Sequence, residues 1–180
     1  MAPRTARIVV IAEDGRIGCA NEGCFRFARE NGGSAAPIGI GANYFAAIRG
    51  EELLHYFRVA VWAVLATGAP FELDYECSSA TVYRAYHLRM ISLSGEALLL
   101  VHSPVTERPH DRSPELPDEP RFRDRFGMIA QCSNCRRVRV PLDLSWHWVP
   151  SWVKVMPENV THVFCPLCRD LYWPRSKRRA

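Results

Sequence analysis

The sequence predicts an α+β domain, a five-stranded antiparallel sheet covered by helices on one face, followed by a small second module. Three observations carry this expectation. Two short apolar runs open the chain, helical patterns follow, and three strand-like runs come last, an order that suits a helix-covered meander. Residues 108–126, "RPHDRSPELPDEPRFRDRF", then interrupt the pattern with prolines and charge. Beyond them stand two Cys-x-x-Cys pairs, Cys132 with Cys135 and Cys165 with Cys168, separated by 29 residues.

The first element is "ARIVVIAEDGRIGCAN", two apolar runs joined through Asp14-Gly15. Asp-Gly between such runs predicts a two-residue hairpin turn with positive φ at both central positions. Asn21 is placed to cap a helix over "EGCFRFARENGG", whose apolar side holds Cys24, Phe25, Phe27 and Ala28 and which Gly32-Gly33 ends. A loop and a short helix around "YFAAIRG" follow. The longest helical pattern is "EELLHYFRVAVWAVLATG": its first-turn acids suit the helix dipole, Gly68 stops it, and Leu54, Phe57, Val61, Val64 and Leu65 should face a core.

Three strands complete the domain. In "FELDYECSS", Phe71, Leu73, Tyr75 and Cys77 alternate with Glu72, Asp74 and Glu76, so one face is buried and the other wet. "TVYRAYHLRMISLS" and "EALLLVHSPVT" follow, connected at Ser94-Gly95. The domain boundaries expected are 7–108 for this unit, 109–126 for a Pro-rich linker, 127–174 for the cysteine-bearing module and 175–180 for a basic tail. The linker assignment rests on Pro109, Pro114, Pro117 and Pro120, which forbid a continuous helix, and on charge, which argues against a core.

Composition excludes some classes. At 48% hydrophobic and 23% charged residues the 180-residue chain is globular. No run approaches the ~20 apolar residues of a membrane helix, and no leader-like segment is evident, so a cytoplasmic setting with reduced thiols is expected. There, seven cysteines are not a disulfide framework, and the paired ones point to metal. Residues 121–180 hold 12 basic and 4 acidic side chains, a net of +8, against −4 for residues 1–120. A basic end suggests an anionic partner or a solvated tail.

Several segments of the first unit, taken in order, resemble the PAS family of bacterial sensor domains. They are "IAEDGRIGCANEGCFRFARENGG", "PIGIGANYF" and three closing strands that end in His102, Thr106, Glu107 and Arg108. The resemblance covers residues 7–108 and implies a sensory or protein-interaction domain, with a ligand in some members held between helices and sheet. It leaves the signal sensed and the ligand unspecified. His55 on the long helix is the haem candidate. "GCFRF" is superficially similar to a flavin-binding Asn-Cys-Arg-Phe motif. However, Cys24 has an extra residue before the Arg and lies on the first helix, so a flavin adduct is not expected.

The second module has its own logic. Two Cys-x-x-Cys turns supply four thiolates, which closes a tetrahedral zinc site. The ligands expected are Cys132, Cys135, Cys165 and Cys168, with His162 as a supporting donor behind them. The spacer offers Trp146, Trp148, Val149, Trp152, Val153 and Val155 as a small core that the metal would staple. This stretch resembles a module at the end of some bacterial signalling proteins: Cys-x-x-Cys, basic residues with Val138-Arg139, a Trp region, Thr161-His162 and Cys-Pro-x-Cys.

The function expected is a non-catalytic signalling or regulatory protein with a protein partner, self-association into a homodimer remaining open. The alternative is a nucleic-acid-binding regulator acting through the basic module, where cations meet phosphates and aromatics stack. An enzyme with Cys24 or Cys77 as nucleophile is the third class, and neither sits beside an evident base.

Overall fold

A computed structural model of the chain describes residues 5–32, 34, 36–93 and 96–174. The Gly33 half of the first helix stop, the Ser94-Gly95 connection and the basic tail lie outside these residues. The chain divides into two compact units. The first is Met1–Cys77 with Tyr83–Arg108, and the second is Ser78–Val82 with Pro109–Ala180. No helix among the described residues is long and apolar enough to cross a membrane.

The first unit is the five-stranded antiparallel sheet that the sequence predicts. Its strands are β1 (Arg7–Ala12), β2 (Ile17–Ala20), β3 (Phe71–Glu76), β4 (Val82–Ser92) and β5 (Ala97–Pro109), in the spatial order β2-β1-β5-β4-β3. Helices α1 (Glu22–Glu30) and α2 (Glu51–Thr67) lie in sequence between β2 and β3. Because side chains alternate along a strand, one face collects Val9, Ile11, Leu73, Tyr86, Leu88, Met90, Leu98 and Leu100, all buried. The helices cover that face: Phe27 of α1 meets Tyr86 edge-on, and Tyr56 of α2 meets Phe71. The opposite face carries ion pairs such as Arg89–Glu72 at 3.1 Å.

Three local details differ from the expectation. The β1–β2 turn has three residues, Glu13 to Gly15, with Gly15 N–H donating to Ala12 O at 2.9 Å. Only Gly15 is left-handed, with φ +85°. This is the type I turn closed by a left-handed residue, the usual three-residue hairpin. A Cβ at Gly15 would also lie 2.4 Å from the Phe45 ring, so glycine is required twice over. On α2 the core face is Leu53, Phe57, Ala60, Val61 and Val64, with Leu54 and Leu65 only half-buried. The hydrophobic stripe is therefore rotated by one position at its start.

Asn21 does more than cap α1. Its Oδ1 accepts from Cys24 N at 3.3 Å and Ile8 N at 3.1 Å, and its Nδ2 donates to Ala6 O at 2.9 Å. One side chain thus ties the start of α1 to the start of β1 and satisfies an otherwise orphaned helical N–H.

The second unit contains β6 (Ile129–Cys132), β7 (Val138–Arg139), β8 (Trp146–His147) and β9 (Val160–Val163), in the order β8-β7-β6-β9. β9 runs parallel to β6, and the other pairs are antiparallel. Its core is Phe122, Ile129, Val138, Val140, Val149 and Trp152. Of the residues expected there, Val155 is 72% exposed.

Residues 109–126 are not a bare linker. Glu115 N–H donates to Trp148 O at 2.8 Å, and the short helix α3 (Glu119–Phe122) turns Phe122 fully inward, against Trp152 at a ring separation of 5.4 Å. Charge does not exclude the segment from the fold because its charges pair on the outside. Arg121 meets Glu115 at 2.8 Å and Arg123 meets Glu119. One large apolar side chain is then enough to anchor the turn.

Candidate functional site

The second unit brings its four paired cysteines together. The sulfurs of Cys132, Cys135, Cys165 and Cys168 all lie within 4.8 Å of one another, and all four residues are buried. Parallel pairing of β6 with β9 makes this possible. Cys132 is the last residue of β6 and pairs with Val163, so the turn beginning at Cys132 and the Cys165–Cys168 turn leave the sheet on the same side. The first pair sits in a knuckle closed by Arg136 N–H donating to Cys132 O at 3.1 Å, with Arg136 left-handed at φ +61°. The second pair opens helix α4 (Pro166–Tyr172), with Pro166 at its first position.

Hydrogen bonds converge on the sulfurs. Asn134 Nδ2 donates to Cys168 Sγ at 3.3 Å, Arg137 Nε to Cys135 Sγ at 3.3 Å, and the Cys165 amide to Cys132 Sγ at 3.4 Å. Asn134 is held in turn by the Tyr172 hydroxyl, which donates to its Oδ1 at 3.2 Å. Arg112 donates to the Cys135 carbonyl at 3.1 Å. Hydrogen bonds from Cys132 and the other sulfurs, with the Arg137 charge beside them, hold the Cys135 thiol far below its ordinary range. Hydrogen bonds from Cys132 and Cys168, opposed by Cys135 and by burial, bring Cys165 down to about 7. The reciprocal bonds push Cys132 and Cys168 up. Four buried thiols cannot all ionise beside one another without a cation, and the donor set is that of a metal–thiolate centre.

Asn134 and Arg137 are two side-chain donors to these sulfurs that sequence reasoning missed. Both lie inside or next to the Cys-x-x-Cys turn, a position that could have flagged them. His162, the supporting donor expected, lies half-buried on β9 in register with Gln131.

The first unit holds a cavity of about 450 Å³ lined by Val9, Ile17, Phe27, Ile38 and Ile48 on its apolar side. Its polar wall is one connected chain of hydrogen bonds. Arg7 Nη2 donates to the Tyr75 hydroxyl at 2.9 Å, which lies 2.9 Å from His102 Nδ1, and His102 Nε2 lies 3.3 Å from the Tyr44 hydroxyl. The Arg7 guanidinium lies 4.0 Å from the Phe27 ring centroid and 4.1 Å from that of Tyr86. Burial, reinforced by the Arg7 charge, lowers the His102 pKa to about 3, so its imidazole is neutral. Burial likewise raises Tyr44 and Tyr75, which stay protonated.

The haem candidate His55 is exposed on α2 and does not line this cavity. Cys24 and Cys77 do line the cavity. Cys24 Sγ donates to Ile8 O at 3.4 Å, and burial raises its pKa, which makes it a structural thiol.

One further array was not foreseen. In the second unit Ser145 Oγ lies 2.6 Å from His147 Nε2, and His147 Nδ1 lies 3.0 Å from Glu115 Oε1. Its surroundings are those of a brace. Ser145 Oγ also lies 2.6 Å from Asp143 Oδ1, the Ser145 and Leu144 amides are committed to Asp143 and Val140 O, and Glu115 is shared with Arg121.

No protein-family model and no curated protein matches the sequence. Among solved structures, the chain is similar to a domain of an HTR-like protein from Haloarcula marismortui, at 18% identity over 56% of this chain and 98% of that one, TM-score 0.42. It is also similar to the PAS domain of the Cronobacter turicensis RpfR quorum-sensing receptor in complex with C12:0, at 19% identity over 56% and 94%, TM-score 0.44. A third similarity is to a sensory box sensor histidine kinase from Vibrio cholerae, at 15% identity over 57% and 83%, TM-score 0.41.

Proposed function

We propose that the chain is a non-catalytic signalling protein whose first unit senses a small molecule and whose second unit is a structural zinc module that docks a protein partner. The observation that carries the reading is the cavity of the first unit, apolar over most of its lining and polar along one buried, hydrogen-bonded wall. Such a lining suits a site that selects a ligand, and the Cys24 thiol within it is raised by burial and hydrogen-bonded to Ile8 O.

Zinc is the metal we assign to the second unit. A tetrahedral zinc about 2.3 Å from each sulfur sets the sulfurs about 3.8 Å apart, and Cys135 and Cys165 stand 3.8 Å apart. With four thiols no position is left for water, so the metal would hold the fold together and leave the docking surface to the protein. Trp148 and Trp152 are buried in this unit, so neither is free to stack on bases, which weighs against the nucleic-acid alternative.

Elemental analysis of the purified chain should give one zinc per chain. Ligand-observed NMR with small apolar molecules should find binders that Ala28→Trp, which fills the cavity, expels. At saturation a binder should change hydrogen exchange within residues 129–172. Unchanged exchange there would remove the sensory coupling.

A further inference from the structure

Two arginines reach the buried face of the sheet in the first unit, and they are treated differently. Arg84 pairs with Glu107 at 2.9 Å, both side chains being largely buried. Arg7 has no carboxylate partner among the described residues. Its contacts are two aromatic rings and the Tyr75 hydroxyl, and its buried Nε–H meets no acceptor. A guanidinium stays charged at any pH the protein will meet, so this wall of the cavity holds a cation with no counter-ion among the described residues.

The hydrogen bonds around His102 leave a second donor over. A neutral imidazole offers one N–H and one bare nitrogen. If Tyr75 donates to Nδ1, then Nε2–H donates to Tyr44, and the Tyr44 hydroxyl hydrogen has no partner. In the other tautomer Tyr44 donates to Nε2, Nδ1–H donates to Tyr75, and the Tyr75 hydrogen is left. Either way one tyrosyl O–H lining the cavity lacks an acceptor among the described residues. A cation and an O–H, both unmet among the described residues, line a cavity whose lining also includes Val9, Ile17, Ile38 and Ile48.

We propose that the cavity takes a small organic carboxylate with an apolar body, its carboxylate received by Arg7 and by the spare tyrosyl hydroxyl of the Tyr44–His102–Tyr75 chain. The proposal rests on the reading of the cavity as a ligand site. A carboxylate supplies what the wall lacks, a negative charge and acceptor lone pairs, while the apolar lining takes the rest of the molecule.

Calorimetric titration of the full chain with phenylacetate and octanoate, against 2-phenylethanol and octan-1-ol, tests it. The acids should bind at least tenfold tighter than the alcohols of the same skeleton. Arg7→Gln should bring that ratio close to one, and replacing both Tyr44 and Tyr75 by Phe, which removes whichever hydroxyl is spare, should cut it several-fold. The tyrosine result stands even where Arg7→Gln fails to fold. Alcohols binding as tightly as acids would overturn the carboxylate and leave the cavity as a ligand site. No binding of either class to a folded chain would overturn both.

Discussion

Asn134 and Cys168 are joined by an N–H···S hydrogen bond of 3.3 Å that spans 34 positions of sequence. It links the first cysteine turn to the second through something other than a metal. The Tyr172 hydroxyl donates to the amide oxygen of Asn134 and so holds its Nδ2 toward the sulfur. Donors of this kind stabilise thiolates and fix ligand rotamers.

Asn134→Ala should therefore keep all four ligands yet bind zinc about 10–100-fold more weakly. Competition with a chromophoric chelator measures this directly. An affinity equal to that of the parent chain would show that the amide is incidental.

Cys165→Ser removes one of the four clustered thiols, the one that opens α4. The expected outcome is loss of stoichiometric metal and of the fixed environment of Trp148 and Trp152, because so small a core depends on its staple. Elemental analysis and tryptophan fluorescence read the two effects separately. A full metal equivalent with an unchanged emission spectrum would contradict it.

Phe122→Ala tests whether the proline-rich segment belongs to the core of the second unit. Phe122 is fully buried against Trp152, so truncation should cost about 3–5 kcal/mol in the zinc-loaded chain. A chemical denaturation series gives the value. A change near zero would return the segment to the status of a linker.

His102 makes the first unit acid-sensitive. Its pKa is about 3 when folded against 6.5 as the ordinary value, so between these the unfolded chain binds more protons than the folded one. Stability is fully present above pH 6.5 and is lost as pH falls toward 3, by roughly 2–3 kcal/mol at pH 4.5. His102→Gln should lower stability at pH 7 and flatten this slope. Denaturation curves of both chains at pH 7, 5.5 and 4.5 supply the comparison, and parallel slopes would exclude His102 as the cause.

The parts that sequence disclosed are those with short-range signatures. The two Cys-x-x-Cys pairs, the Asn21 cap and the alternation from Phe71 to Glu76 each depend on neighbours within a few residues. What stayed hidden depends on register and on distant partners. Arg7 faces His102 only because β1 pairs with β5 in one register, a match across 95 positions that periodicity does not report. Phe122 was lost for the opposite reason: five charges within three residues of it outweighed a single aromatic. Leu53 replaced Leu54 in the core because helical spacing fixes an angular period and not its phase.

The parallel pairing of β6 with β9 also bears on how fast the second unit forms. Parallel neighbours cannot be joined by a tight turn, so the knuckle at Cys132–Cys135 must wait for a segment some thirty residues away. Closing such a loop is an entropic barrier, overcome late unless something holds both ends. A cation caught by the first pair and then by the second would act as a template for that closure. Refolding of the second unit should then accelerate as zinc is raised from trace to micromolar levels, while the sheet of the first unit re-forms at a rate indifferent to it.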